Sequence, residues 1–312
     1  MLRTERRAVV HEGGKKAIVV ALLANSGIFI AKVVGFLITG AASMLAEAVH
    51  SLADTGNQAL LLLGGRRAER AASAEHPFGY GAERYFWAFI VAMVIFLLGS
   101  LFALYEGVHK FLDPHPLEQP AVAIGILGVA ILLECWSFKT AITEANRLRG
   151  DLGWSQFIKG TKEAELPVVL LEDLGALVGL AVALIAVVLS VVLNDPRWDA
   201  IGSIVIGLLL AAIAVVLAGE MKSLLIGEAA SEQNISIIQE AIVDSPQVSG
   251  LIHMRTMHLG PGEILLAAKI EFRAGLSVEI VSDEINAAEG RIRGALNLKV
   301  VSYLEPDLFR RS

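Results

Sequence analysis

Cysteine is almost absent: Cys135 is the single one in 312 residues. That excludes an internal disulfide and any cluster of thiolates around a metal. Charge is sparse as well, at 19% of residues, and long stretches carry none. HExxH and P-loop patterns do not occur, which leaves metalloprotease and nucleotide-hydrolase chemistry without an anchor. No acid is singled out beside a site for a catalytic water, and the chain reads as a protein that is not an enzyme, with no cofactor. A net charge of −6 gives no sign of nucleic-acid binding. The basic start, MLRTERRAVVHEGGKK, has neither the apolar core nor the small-residue cleavage site of a signal peptide. It reads as a cytoplasmic arm, residues 1–16.

What the chain has in place of charge is apolar length, with 55% hydrophobic residues. A bilayer core needs roughly 20 apolar residues in helical form. Six segments meet that, at approximately Ala17–Leu37, Met44–Gly64, Tyr85–Glu106, Ala121–Ala141, Leu166–Leu193 and Ala200–Leu225. Basic residues crowd alternate loops: Arg3, Arg6, Arg7, Lys15 and Lys16 before the first span, Arg66, Arg67, Arg70 and Arg84 after the second, Arg147, Arg149, Lys159 and Lys162 after the fourth. The positive-inside rule then places both termini in the cytoplasm or its organellar equivalent, and a bacterial inner membrane is the expected setting. Pro167 can open the fifth helix, and Asn194-Asp195-Pro196 marks a turn. From about Ser231 the pattern is that of a soluble domain. Ile235–Val243 is helical, Val248–Leu259 a strand, and Glu263–Arg273 alternates with Ile264, Leu266, Ala268, Ile270 and Phe272 on one face. Gly260-Pro261-Gly262 joins those strands, Ser277–Leu296 is a helix and Lys299–Leu304 a last strand. The expected architecture is a six-helix transmembrane domain, residues 17–227, followed by a cytoplasmic α+β domain of order αββαβ, residues 228–312. One face of such a sheet is a place for a second copy to pair.

The second span, LAEAVHSLADTGNQALLLLG, carries Glu47, His50, Asp54 and Asn57 among apolar residues. An ionisable group at mid-bilayer costs roughly 2.5–3.5 kcal/mol on insertion scales and is tolerated where it faces protein or water. His50 and Asp54, four apart, share one helix face. The fifth span adds Glu172 and Asp173. Neighbouring positions point about 100° apart on a helix, so only one of these acids faces the second span squarely. Gly175 and Gly179 permit close helix approach. Asp173 set against His50 and Asp54 provides a nitrogen and oxygens around one point, a donor set that suits Zn²⁺ better than Mg²⁺. In the fourth span Glu134 lies near Lys139, and a local ion pair is its plainer reading.

These motifs bring the chain close to a known family. Ala24-Asn25 and Lys32 in the first span, AEAVHSLADTGNQ in the second, HPFGYGAERYFW after it, WDAIGSIVIG opening the sixth, LLIGEA leading into the tail and HMRTMHLGP in its sheet all match. The sequence resembles a cation diffusion facilitator, the zinc-transporter family of six spans and a ferredoxin-like cytoplasmic domain. KGTKEAELPVVLLEDLGALVG resembles the branch that contains a mitochondrial zinc transporter of eukaryotes. The resemblance implies a homodimer that exports Zn²⁺ in exchange for protons, with the metal as substrate. It implies His50, Asp54 and Asp173 as ligands. Val169 stands where the family has a further histidine, so Glu172, Asn25, Asn57 or a water is left to complete the shell. Of the family's loop site only His76 remains, with Ser73 and Tyr80 in place of the other ligands. Of its tail site His253 and Glu305 remain, with Lys269, Ser282 and Tyr303 replacing others. Two rival readings keep this fold: transport of Mn²⁺, Fe²⁺ or Co²⁺, favoured by a third carboxylate from Glu172, and a metal-binding scaffold or sensor that moves nothing, favoured by the missing histidine.

Overall fold

The computed structural model describes residues 26–117, 119–149, 153–154 and 165–308. Six helices come first: α1 (Ser26–Thr39), α2 (Ala42–Ala68), α3 (Glu83–Leu112), α4 (Pro120–Arg149), α5 (Glu165–Val192) and α6 (Arg197–Ile226). Two further helices, α7 (Glu232–Val243) and α8 (Val278–Ala295), belong to the tail with strands β1 (Val248–Gly260), β2 (Glu263–Phe272) and β3 (Lys299–Asp307). Four of the described helices, α3 to α6, are long and apolar enough to cross a membrane. Helix α1 is apolar but shorter, and the expected first span begins outside the described residues. Helix α2 is long enough, but its polar residues keep its hydropathy below that of the other four.

The described parts of Met1–Gly64, Trp87–Ile158 and Glu165–Glu220 form one compact unit. Within it α3 and α6 run antiparallel. Ser100 Oγ donates to the carbonyl of Gly207 at 2.7 Å, and Lys110, ten residues later, pairs with Asp199 at 3.3 Å, eight residues earlier. Helices α4 and α5 are antiparallel on the same evidence, with Ala145 packed on Leu170 and Ser137 beside Asp173. Gly175 does permit a close approach, to α6: a methyl group there would lie 2.6 Å from Ile213 Cδ1. The expected turn at 194–196 is present. Asn194 takes φ +53°, a left-handed conformation asparagine tolerates, and Asp195 Oδ1 accepts from the amide of Arg197 at 3.0 Å to begin α6. A π turn over Val91–Phe96 interrupts α3 without a proline.

A second unit gathers the described residues of Gly65–Phe86 with those from Met221 onward. Its sheet has the order β1-β2-β3, the first pair antiparallel and the second parallel. The alternation in β2 is as the pattern requires: Ile264, Leu266, Ala268, Ile270 and Phe272 are buried against Ile238 and Ile242 of α7 and Ile292 of α8. Both helices therefore cover one sheet face. Each opens on a serine, Ser231 or Ser277, whose hydroxyl accepts from a first-turn amide. Gly81 seats the 69–82 loop on the β1–β2 hairpin, where a Cβ would meet the carbonyl of Leu259 at 2.6 Å.

Candidate metal centre

Helix α2 buries one polar stripe. Ser51, Asp54 and Asn57 recur at intervals of three and are 2%, 5% and 0% exposed. That spacing keeps them along one face. Across from the stripe, α5 buries Glu172 and α4 buries Glu134, and α1 contributes Lys32, 1% exposed. Asn57 Nδ2 donates to Glu172 Oε1 at 3.0 Å. Asp54 and Glu172 share a side-chain hydrogen bond. Lys32 Nζ donates to Ser51 Oγ at 2.7 Å. Carboxyl groups gathered in a low-dielectric interior repel one another unless cations or protons intervene. Such a cluster can take up protons or a cation.

The two adjacent acids of α5 divide as helix geometry demands. Glu172 is the one that touches α2. Asp173, half-buried, accepts from Ser137 Oγ of α4 at 3.4 Å and lies within electrostatic reach of Glu134. Asn57 places its amide nitrogen on Glu172 and leaves Oδ1 with no hydrogen-bond donor, fully buried; Gln58 Oε1, the next residue, is in the same position. A buried carbonyl oxygen without a protein donor can be met by a water or a cation. Among the described residues no three of His, Cys, Asp and Glu are drawn together tightly enough to hold a metal ion. His50 lies on α2 between Ala48 and Ser51, but its side chain falls outside the described residues, and so does Asn25.

The accessory positions read differently. His76 is exposed in the 69–82 loop, its ring 4.6 Å from that of Tyr80. Its amide donates to Ser73 Oγ, which also bonds Tyr80 Oη at 3.1 Å. Neutral hydrogen bonds thus knit this loop together. In the tail, His253, Lys269 and Glu305 stand in register across the three strands. Lys269 Nζ bridges Asp307 at 2.8 Å and Glu305 at 3.2 Å. The hydrogen bond to Asp307, and then the one to Glu305, hold the lysine pKa above its ordinary value.

Sequence reasoning took Glu134 for a local ion pair with Lys139 and did not foresee the Lys32–Ser51 contact. Lys139, five positions after Glu134, is exposed while Glu134 is buried. Five positions on a helix turn through about 140°, a signal against a local pair that was there to be used. For Lys32, a lysine inside an apolar run was itself the signal.

Residues 18–226 match the family of the cation efflux transmembrane domain. The mitochondrial proton-coupled zinc antiporter SLC30A9 of Xenopus laevis is 31% identical over 264 residues, 84% of this chain and 47% of that protein. Metal tolerance protein C4 of Arabidopsis thaliana is 30% identical over 279 residues, 89% of this chain and 61% of its own length. Zinc transporter ZitB of Pectobacterium atrosepticum is 26% identical over 253 residues, 80% of this chain and 73% of that protein. The chain thus spans about half the length of the antiporter it resembles.

Proposed function

We propose, since this chain belongs to the cation efflux family, that it is a secondary transporter moving Zn²⁺ out of the cytoplasm in exchange for protons. The observation that carries the reading is the buried contact of α2 with α5, where Asn57 and Asp54 meet Glu172. His50, Asp54 and Asp173 are the ligands of the transported ion in this reading. Glu172 and the Asn57 carbonyl stand by where Val169 offers no imidazole. Asp173 joins by a rotation of α5 that turns it from Ser137 toward α2. Exchange follows from competition. Imidazole binds a metal when neutral and carboxylates bind it when ionised, so metal and protons displace each other. Rocking of helices around a mid-membrane site then opens it to alternate sides. Relatives named as zinc transporters, one of them proton-coupled, support the ion and the counter-ion.

The finer architecture is part of the same proposal. Helix α2 and a first span ending in α1 make six spans with α3 to α6, both termini are cytoplasmic, and the membrane is a bacterial inner membrane. The domains are residues 1–16, 17–227 and 228–312, the last ferredoxin-like. The sheet face opposite α7 and α8 exposes Met257 and Tyr303, which supports pairing of two copies there. Protein reconstituted into vesicles tests the function. A zinc gradient drives protons the opposite way, and His50→Ala or Asp54→Ala stops both fluxes. Zinc binding without flux overturns transport, and stronger competition by Mn²⁺, Fe²⁺ or Co²⁺ overturns zinc as the preferred ion.

A further inference from the structure

The transport reading gives no part to Lys110 and Asp199, a buried ion pair where three helix ends meet. Lys110 lies in the last turn of α3, Asp199 in the first turn of α6, and Gly40 in the turn from α1 to α2. The ammonium stands 3.3 Å from Asp199 Oδ2 and donates to the Gly40 carbonyl. Gly40 takes φ +59° and its amide donates to the Phe36 carbonyl at 2.7 Å, which ends α1. Helix dipoles favour a cation at the carboxyl ends of α1 and α3 and an anion at the amino end of α6. The same contact joins two differently packed groups. Helices α3 and α6 meet backbone to backbone: a methyl at Gly107 would lie 2.9 Å from the Ala200 carbonyl oxygen, and one at Gly207 3.0 Å from the Leu104 nitrogen. The α1–α2 turn packs on α4, where a methyl at Gly35 would lie 2.5 Å from Met44 Cε and 2.7 Å from Ile126 Cδ1. Lys110 links that turn to the α3–α6 pair.

We propose that Lys110 and Asp199 form a latch that fastens the α1–α2 turn to the α3–α6 pair and closes the ion site toward the non-cytoplasmic side. In the orientation proposed above, this helix end is the far one. Helix α2 runs unbroken from the turn to Asp54, so a displacement of the turn is carried to the site. Release on the far side needs the turn to part from the α3–α6 pair, and the latch opposes that. A buried pair is either made or broken, because a half-separated one satisfies neither charge. At a helix end the parted groups meet water, so the broken state costs less than it would at mid-membrane. Latched, the protein loads from the cytoplasm; unlatched, it releases on the far side. Both members are positioning residues and neither touches the ion.

This inference rests on the transport reading and its orientation, and the test separates them. The full chain is placed in vesicles sorted by protein orientation, and KM and turnover are measured with zinc offered first to the cytoplasmic face and then to the far face. The variants are Lys110→Met with Asp199→Leu, Asp199→Asn, Ser100→Ala and Asp54→Ala. The double variant removes the latch without stranding a charge. Apparent affinity scales with the population competent to bind from a given side. The ratio of cytoplasmic to far-face KM is therefore expected to rise about fivefold or more in the double variant. Asp199→Asn keeps an oxygen for the ammonium and removes the charge; it moves the ratio the same way by less, and decides the matter if the double variant does not fold. Ser100→Ala breaks a bond inside the α3–α6 pair, so it lowers the melting midpoint and leaves the ratio alone. A purely structural ion pair would likewise change the amount of active protein and not the ratio. A ratio that stays put or falls in the latch variants, or that rises as far in Ser100→Ala, overturns the latch and leaves transport standing. Parent flux no greater than that of protein-free vesicles overturns transport, and flux that survives Asp54→Ala overturns the site.

Discussion

Each of the two units sets a lysine among carboxyl groups, and the settings differ in nearly every respect that matters. In the helical unit Lys32, Asp54, Glu134 and Glu172 are buried, and the ammonium donates to a serine hydroxyl. In the tail Lys269 bonds its carboxylates directly, at 2.8 and 3.2 Å, in reach of solvent. Direct pairing neutralises; the tail cluster needs no further cation and satisfies itself. The acids of the helical unit are gathered out of water, where carboxyl groups repel one another unless cations or protons intervene. The same residue types therefore make a structural clasp in one place and, in the proposed reading, a site for the transported ion in the other. Burial sets the scale of each, since a charge in water is screened and a charge among helices is not.

The comparison breaks most sharply at Asp54. Asp54→Ala is expected to reduce vesicle zinc flux to that of protein-free vesicles; residual flux above about a tenth of the parent would remove Asp54 from the ion's path. Next comes the ion pair of Lys110 with Asp199, buried at 3.3 Å beside the Gly40 carbonyl, to which Lys110 also donates. Asp199→Ala strands a buried ammonium, and such losses are worth about 3–5 kcal/mol. Thermal melting in detergent should show it as a drop in midpoint. The double variant Lys110→Met with Asp199→Leu should recover most of that drop, because replacing both partners leaves no orphaned charge. Failure to recover would mean that Asp199 serves another partner. Smaller again is Glu172→Gln, which keeps an acceptor for Asn57 and removes the charge. Zinc affinity is expected to fall about 10- to 100-fold, the range seen when a group supporting a metal ligand is changed. No change would assign the whole of α5's contribution to Asp173.

Much of this was legible in the chain. Helix and strand order follow from hydrophobic period: α3 to α6 are long, predominantly apolar runs, and β2 alternates residue by residue from Ile264 to Phe272. The polar stripe of α2 follows from Asp54 and Asn57 lying three apart. The rotation of α5 does not, because Glu172 and Asp173 are adjacent and either can face α2. Packing decides between them, and part of that packing is the fit of Gly175 under Ile213 of α6, a contact no local pattern encodes. Glu134 and Lys32 were hidden for a related reason. Lys32 is the lone charged residue of the first span and Glu134 the lone acid of the fourth, and only the meeting of three or four helices brings each beside the polar stripe.

The smallest effect belongs to Lys269, and it is the cleanest test of the contrast. Its pKa is raised in the folded protein by Asp307 and Glu305, so the protonated form is favoured by folding. That stability is fully present below the pKa of the unfolded lysine, near 10.5, and is lost as pH climbs through the higher folded value. At neutral pH an exposed pair contributes little. Lys269→Met is therefore expected to move the tail's melting midpoint by no more than about 2 °C at pH 7. Above about pH 10.5 the parent should lose stability faster than the variant. Hydrogen exchange of the β2 and β3 amides in the full chain reads the tail apart from the helices. A large loss of protection at pH 7 would show that the clasp is not the self-satisfied, solvent-screened cluster described, and that His253, Lys269 and Glu305 answer to something bound across that face.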